Sequence, residues 1–557
     1  MSDKVEELCD DREVALSPTA ENHKGGWITF PFILVSTGGL MLGGAGWMTN
    51  LMVFLINTYH VQKIDAVQIS TLIHAFFNLF PVFAAIIADS FLSSFTVIWI
   101  FGFTSLLGTI VLTLSTIISA LKPPECPEDS SSCTPNKLQF AVLYAALSLG
   151  TVGLGGLRSS ISTMGANQFR KKKHQGIFFN WYFITSYMSF VIAQTVFVYI
   201  EDNVSFKCGF IICVVANSIG LIAFLSGTRF YSCGNPKGSP FTGLARVLVA
   251  SVHKRNLKIS DHETDGGRYF VGDNEEEHRG PPSSAFKFLN RAAVKMDGDV
   301  DADGLIEKPW RICTVQQVED LKSLIKMIPV WTTGIILLVP IGALLNLTVV
   351  QALTMDRHLG KKFQIPPGSM TVVVLFSCTV FIAVIDRLVY PAWKKLAGKR
   401  PTALQKIGVG HVITLVGMAV SAVVEYKRRI AAANSEPISV LWLIPPLLFI
   451  GVGEAFHYPV TAQFYYQEFP ANLKNMATAL SAVLIAIALY VASLIIELIR
   501  NVTSWLPNND IDKGRLDYVY WVLFALGLLN YGYFLACANY YKYQNCEKPK
   551  NDDDKLH

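Results

Sequence analysis

Charge is scarce in this chain: Asp, Glu, Lys and Arg make up 16% of its 557 residues, against roughly 25% in soluble domains. With 51% hydrophobic residues, such a chain needs lipid around it. The net charge of +5 is spread along the sequence without a dense Lys/Arg block, which excludes nucleic acid as a partner. The ten cysteines form no CxxC pair and no His/Cys cluster at zinc spacing, so neither a metal nor a cofactor is expected. A cleavable signal is also missing, because the first 27 residues are polar and the apolar run from Trp27 to about Tyr59 is too long for a signal core. Enzymatic chemistry finds no nucleophile motif and no phosphate loop. The glycine-rich run at 150–156 lies inside an apolar stretch, where small residues serve helix packing.

What is present is a set of apolar stretches of membrane-crossing length. Six lie near 28–56, 66–92, 94–119, 138–163, 177–200 and 206–229, and six more near 320–350, 369–392, 404–424, 438–464, 476–499 and 518–541. The expected architecture is an all-α membrane protein with twelve spans in two six-helix bundles: a tail at 1–27, a bundle at 28–229, a polar linker at 230–318, a bundle at 319–541 and a tail at 542–557. Such a pair of bundles rocks around a cavity near the membrane midplane.

Short-loop cations set the orientation. Arg170 and Lys171 to Lys173 after span four, and Lys394, Lys395, Lys399, Arg400 and Lys406 after span eight, place the linker and both termini in the cytoplasm. Lys427, Arg428 and Arg429, with Arg357, Lys361 and Lys362, fall in loops that this arrangement puts outside. The sequons at Asn203 and Asn501 fall outside as well. Cys126 and Cys133 bracket a polar loop that reads either as closed by a disulfide or as carrying two free thiols. In the linker, 241–258 alternates apolar residues with Arg246, Lys254, Arg255 and Lys258, which reads as an amphipathic helix on the inner leaflet or as a solvated one.

The halves echo each other. Asp89 closes span two, and Asp386, followed by Arg387, closes span eight. Longer motifs recur through the chain in order: Gly-Leu-Gly-Gly-Leu-Arg (153–158), Gly-Ala-Asn-Gln-Phe (165–169), Phe-Phe-Asn-Trp-Tyr (178–182), Met-Ile-Pro-Val-Trp (327–331), Gln-Ile-Pro-Pro-Gly-Ser-Met (364–370), Gly-Glu-Ala-Phe (453–456) and Gly-Arg-Leu-Asp-Tyr (514–518). In these the chain resembles the plant nitrate and peptide transporter family, a proton-dependent oligopeptide transporter branch of the major facilitator superfamily. Its first span is most similar to the nitrate excretion subgroup. The resemblance implies a major facilitator fold and transport of a small solute.

Departures from the family pattern narrow that expectation. The family's span-one proton motif, two Glu and a basic residue, aligns on Thr37, Leu40 and Met41, with Gly46 and Asn50 giving the register. The basic residue usual after span two is Ser94, a nitrate-binding histidine of a relative aligns on Ile341, and a phosphorylated threonine aligns on Val97. Two family charges remain, Arg158 in span four and Glu454 in span ten. An ionised group at the bilayer centre costs about 2.5–3.5 kcal/mol on insertion scales, so it should pair or face water. The resemblance implies that the two meet across the bundles, either as a gate that breaks when the bundles part or as a static pair.

Around Glu454 stand His457, Tyr458, Pro459 and Gln463. His457 and Tyr458 share its helix face, Pro459 allows a bend, and His457 reads as a titrating group or as a packed histidine. Without the span-one acids, an anion moves outward down an inside-negative potential, about 2.3 kcal/mol per charge per 100 mV. The expected activity is efflux or facilitated transport of nitrate, with chloride as a second ion, at the plasma membrane, with the vacuolar membrane as the alternative location. Proton coupling is left open. The alternatives are proton-coupled transport of a small organic anion, such as a glucosinolate or hormone, and a membrane sensor or scaffold.

Overall fold

The computed structural model describes residues 24–61, 63–123, 135–232, 239–257, 269–271, 282–296, 299, 308–360, 363–398, 400–434, 436, 438–507 and 511–541. Among them are twelve helices long and apolar enough to cross a membrane, in the order and number expected. Span one is Phe30–Thr49, followed by Ile69–Ser90, Ser94–Ile117, Lys137–Asn167, Lys172–Asn203 and Phe206–Arg229; the second six are Val315–Leu353, Thr371–Ala397, Ala403–Ala433, Val440–Glu468, Ala471–Val502 and Leu516–Tyr540. The loop holding Cys126 and Cys133 lies outside the described residues.

Local chemistry sets several helix starts. Asn136 with Gln139, Thr314 with Gln317 and Thr402 with Gln405 form reciprocal capping boxes at spans four, seven and nine, which satisfy orphan N–H groups at each end. Span one is not the single stretch expected from hydropathy. It breaks at Asn50, and a second helix, Leu51–Tyr59, follows. Both flanks are apolar, so hydropathy cannot see the break; the Asn50 amide donates to Asp202 Oδ1 at 2.9 Å.

Span seven covers 39 residues, about 58 Å at 1.5 Å per residue and nearly twice the hydrocarbon thickness. Its first turns therefore stand outside the bilayer, where they organise the linker. The linker helix is Pro240–His253. Its Val247 and Ala250 are buried in one apolar cluster with Leu289, Ala292, Cys313 and Val318. Protein covers that face of the helix, whereas Leu248, Val249 and Val252 on the same helix are exposed. Buried Lys254 donates to Val294 O at 2.6 Å and to Asp299 at 2.8 Å, and Lys322 to Glu319 at 2.7 Å. Lys322 also donates to Ser283 O at 2.9 Å and the Ser283 N–H donates to Glu319 at 2.8 Å, and these two bonds pin the described linker segment at Ser283 to the base of span seven.

Within each bundle, glycines let helices touch. A Cβ on Gly108 of span three would sit 2.8 Å from the Gly150 Cα of span four, and one on Gly43 of span one would sit 2.8 Å from the Cys213 carbonyl of span six. Such close backbone approach replaces the hydrophobic drive that lipid cannot supply.

The three cations at 427–429 are not in a loop. They lie in the last turns of span nine, Ala403–Ala433. Arg428 is 1% exposed and grips fully buried Glu425 with Nε and Nη2, both at 2.8 Å. Its Nη1 donates to Thr354 at 2.7 Å and to Asp512. Glu425 also accepts from Gln351 at 2.6 Å, whose Oε1 accepts from Tyr520 at 3.0 Å. Lys427 lies over the Trp442 ring, and Arg429 stands 4.0 Å from Asp517. A positive-inside count assumes solvated loop charges, so Arg428 is not a true exception to it.

Candidate functional site

The two bundles are tied at one end. Spans two, four, five, eight, ten and eleven meet there, on the side of the linker. Asp89 reaches across from span two to the start of span eleven, where Oδ1 accepts from the Asn475 side chain at 2.7 Å and Oδ2 from the Met476 N–H at 3.0 Å. A carboxylate at a helix N-terminus caps its free N–H groups and meets the positive end of its dipole. Ser94 joins this junction through Asn475. Thr163 bonds Thr478 at 2.8 Å, Tyr466 donates to Asn167, and Gln467 donates to Gln175 at 3.2 Å. Asp386 accepts from Asn180 at 3.0 Å. The two acids that echo each other in sequence thus both reach into the opposite bundle, span two to eleven and span eight to five. Arg387 is exposed within a π turn, Ile385–Val389.

Replacing Asp89 with Ala should loosen this junction. Loss of a cap costs about 1–2 kcal/mol, which shifts a two-state balance roughly 5- to 30-fold. Distances between labels at the linker-side ends of spans four and ten, read by double electron–electron resonance, should lengthen in the variant. An unchanged distribution would mean that Asp89 is not part of the closure.

Behind the junction lies a cavity with about 710 Å3 of empty space, counting its opening to solvent. Arg158 lines it with Met41, Phe179, Tyr182, Tyr187 and Tyr458. The Arg158 guanidinium stands 5.3 Å from the Phe77 ring centroid, and no carboxylate pairs with it among the described residues. Hydroxyls converge on the same space: Ser159 bonds Pro81 O and Ser162 bonds Ser159 O, but Ser186 of span five and Ser481 of span eleven have no partner. A guanidinium without a carboxylate partner, set among hydroxyl groups, has the chemistry to attract an anion.

The expected Arg158–Glu454 contact is not formed in this conformation, although the linker side is shut. Glu454 is buried and lies within electrostatic reach of Cys378 in span eight and of Tyr187 and Tyr458. Those two tyrosines, 6.3 Å apart between ring centroids, feel both Arg158 and Glu454. The closure is made by hydrogen bonds near the helix ends, so the ion pair is not what holds it.

The three positions that replace the span-one charges have different surroundings. Thr37 bonds back to Ile33 O at 2.8 Å, Leu40 is packed against Gly220 of span six, and Met41 lines the cavity. Ile341 and Val97 are buried in apolar clusters. His457 lines a smaller cavity with Thr461, Tyr465 and Ser481, and Tyr458 borders both cavities. Span ten runs as one helix, Ile444–Glu468, through Pro459. Gln463 abuts Gly176 of span five. Ser186, Ser481 and Asn475 are invisible to a reading of the sequence, since isolated Ser and Asn residues in apolar helices carry no spacing signal.

The model of the POT family matches residues 95–511. The chain is 44% identical over 554 residues to Protein NRT1/ PTR FAMILY 2.6 of Arabidopsis thaliana and 45% identical over 548 residues to Protein NRT1/ PTR FAMILY 2.5 of the same plant, each match covering 98% of both chains. Among solved structures it is similar to an auto-inhibited POT family peptide transporter, with TM-score 0.60 and 18% identity over 94% of this chain and 99% of that one. It is likewise similar to the POT family transporter PepTSo, with TM-score 0.59 and 16% identity over 92% and 98%.

Proposed function

Because the chain belongs to the POT family and is a multi-pass membrane transporter, we propose that its cargo is a small monovalent anion, nitrate foremost and chloride second, moved without obligatory proton coupling. The observation that carries this reading is Arg158, an unpaired guanidinium on the wall of the inter-bundle cavity. A lone cation there attracts an anion, and Arg presents fork geometry suited to a planar oxyanion. Met41 is what the cavity meets in place of a family charge, so span one offers neither a proton acceptor nor a second basic anchor.

Direction follows from charge. An uncoupled anion leaves a cell with an inside-negative potential, at about 2.3 kcal/mol per 100 mV. We place the linker side in the cytoplasm, supported by the cations after spans four and eight and by the burial of Arg428. The plasma membrane is the expected location. In this conformation the bonds described above close the cavity toward the linker, one of the two arrangements of an alternating-access carrier.

Proteoliposomes with an imposed potassium diffusion potential test the reading. Nitrate flux should follow the potential in sign and size while a trapped pH dye records no accompanying proton movement. Accumulation of nitrate against the potential, driven by an acid outside, would overturn it. The aromatic walls, Phe179, Phe183 and Phe190 with three tyrosines, favour a planar organic anion as the second reading, which competition of nitrate flux by such an anion would reveal.

The free hydroxyls give a finer test. A hydrogen bond contributes about 0.5–1.5 kcal/mol net, so Ser186→Ala and Ser481→Ala should each raise the half-saturating nitrate concentration several-fold, and the double variant more. Unchanged saturation in the double variant would remove both from the anion site.

A further inference from the structure

Three helix ends on the linker side of the N-terminal bundle are gathered into one surface. Span one begins at Phe30, span five begins at Lys172, and span six ends at Arg229. The segment ahead of span one folds back across the other two: the Gly25 N–H donates to Phe230 O at 2.7 Å and the Gly26 N–H to Gln168 O at 2.8 Å. Gln168 completes the tie, accepting from the Ser232 N–H at 2.8 Å and donating from Nε2 to Ser232 O at 3.0 Å. This path needs glycine, since Gly25 and Gly26 have φ of 99° and 79°, which other residues reach only at a cost. The charge carried by the surface has one sign. No Asp or Glu occurs in segments 24–30, 168–176 and 226–232, which hold Lys24, the run Arg170 to Lys173, and Arg229. Lys24, Arg170, Lys173 and Arg229 are exposed, and none of the four forms an ion pair among the described residues. Like charges held together in this way repel, and an anion among them relieves the repulsion.

Beside the cations the exposed side chains are apolar. Trp27 and Ile28 are 46% and 54% exposed, and the Trp27 ring packs edge-on against Phe169 and His174, at 5.0 and 5.3 Å between centroids. From Trp27 the aromatic contacts continue along the spans, to Phe30 at 5.2 Å and from there to exposed Trp181 of span five at 6.5 Å. A Trp at a helix end sits at headgroup level. The ligand that fits both parts of this surface is amphipathic, with a negative head among the cations and tails running past Trp181. A soluble anion would use only the charged half. We propose that the surface is a docking site for an anionic phospholipid of the leaflet on the linker side, its phosphate among Lys24, Arg170, Lys173 and Arg229 and its tails against Trp27, Ile28 and Trp181. None of these residues lines the cavity of Arg158, so the site stands apart from the anion site and does not depend on what the cargo is.

The purified chain in nanodiscs tests this, with phosphatidylserine or phosphatidylcholine brominated in the tails as fluorescence quenchers. Quenching present in the wild type and missing in Trp27→Phe isolates the Trp27 ring. Each cation near an anionic headgroup favours it about fivefold, so a head that meets one or two of them should be preferred over phosphatidylcholine by about 5- to 30-fold. Raising salt from about 0.1 M to about 1 M shortens the screening length threefold and should bring the preference towards one. Arg170→Gln with Lys173→Gln should do the same in dilute salt, and Lys24→Gln with Arg229→Gln should lower the preference severalfold. Quenching by phosphatidylcholine should stay at the wild-type level in these variants, because the backbone tie is intact; the four single substitutions, each lowering the preference, serve if a pair misfolds. No preference in the wild type overturns the site, as does a preference that survives when all four cations are replaced. Relief of phosphatidylserine quenching by inorganic phosphate, at matched ionic strength, would give the cations to a soluble anion and overturn the lipid.

Discussion

Arg158→Ala should reduce nitrate and chloride flux to near background while the protein still reaches the membrane. The guanidinium is the charged group that the cavity offers an anion without a competing carboxylate. A hydrogen bond to a charged partner contributes about 1.5–3 kcal/mol, roughly a 10- to 100-fold loss of affinity when it is removed. Arg158→Lys keeps the charge and loses the planar fork, so it should fall between the two, with nitrate suffering more than spherical chloride. Voltage-resolved anion currents, normalised to surface protein, measure all three. Wild-type currents from the alanine variant would refute the site.

The second large effect is on stability. Arg428→Ala leaves Glu425, which has no solvent exposure, without its bidentate partner, and breaking a buried pair in this way typically costs about 3–5 kcal/mol. For a bundle of this size that corresponds to a melting temperature lower by on the order of 10 °C, readable by fluorescence-detected thermal unfolding in detergent. The double change Glu425→Gln with Arg428→Met should recover much of the loss, because no uncompensated charge then remains. A single variant as stable as the wild type would show that Asp512, Thr354 and Gln351 do not depend on that guanidinium to hold spans seven, nine and twelve together at their far ends.

The unevenness of what could be read from sequence has physical causes. Twelve spans were readable because lipid imposes one simple rule, a run of apolar residues, and every helix obeyed it. The break at Asn50 escaped because the residues on either side satisfy the same rule. Hydropathy also ended span nine before Lys427, since charge terminates an apolar window, yet Glu425 three residues ahead of Arg428 is the i,i+3 spacing of a helical ion pair and marks the helix as continuing. Arg158 was identifiable as a site residue because an intramembrane cation is costly on its own. Its relation to Glu454 was not, because whether two charges in different bundles touch depends on which way the bundles lean. Asp89 and Asn475 show the limit most plainly: 386 residues separate the partners, and nothing local to either one names the other.

The linker-side junction has a consequence for the medium in which it works. The bonds named above that cross it join a carboxylate to amide and backbone N–H groups, amide to amide, and hydroxyl to hydroxyl. Dissolved salt weakens attraction between opposite charges but has little purchase on short dipolar contacts held out of water. These contacts therefore keep the same strength whether the adjoining solution is dilute or concentrated. For the anion cargo proposed above, that would leave these contacts unaltered at whatever concentration the cargo reaches beside them.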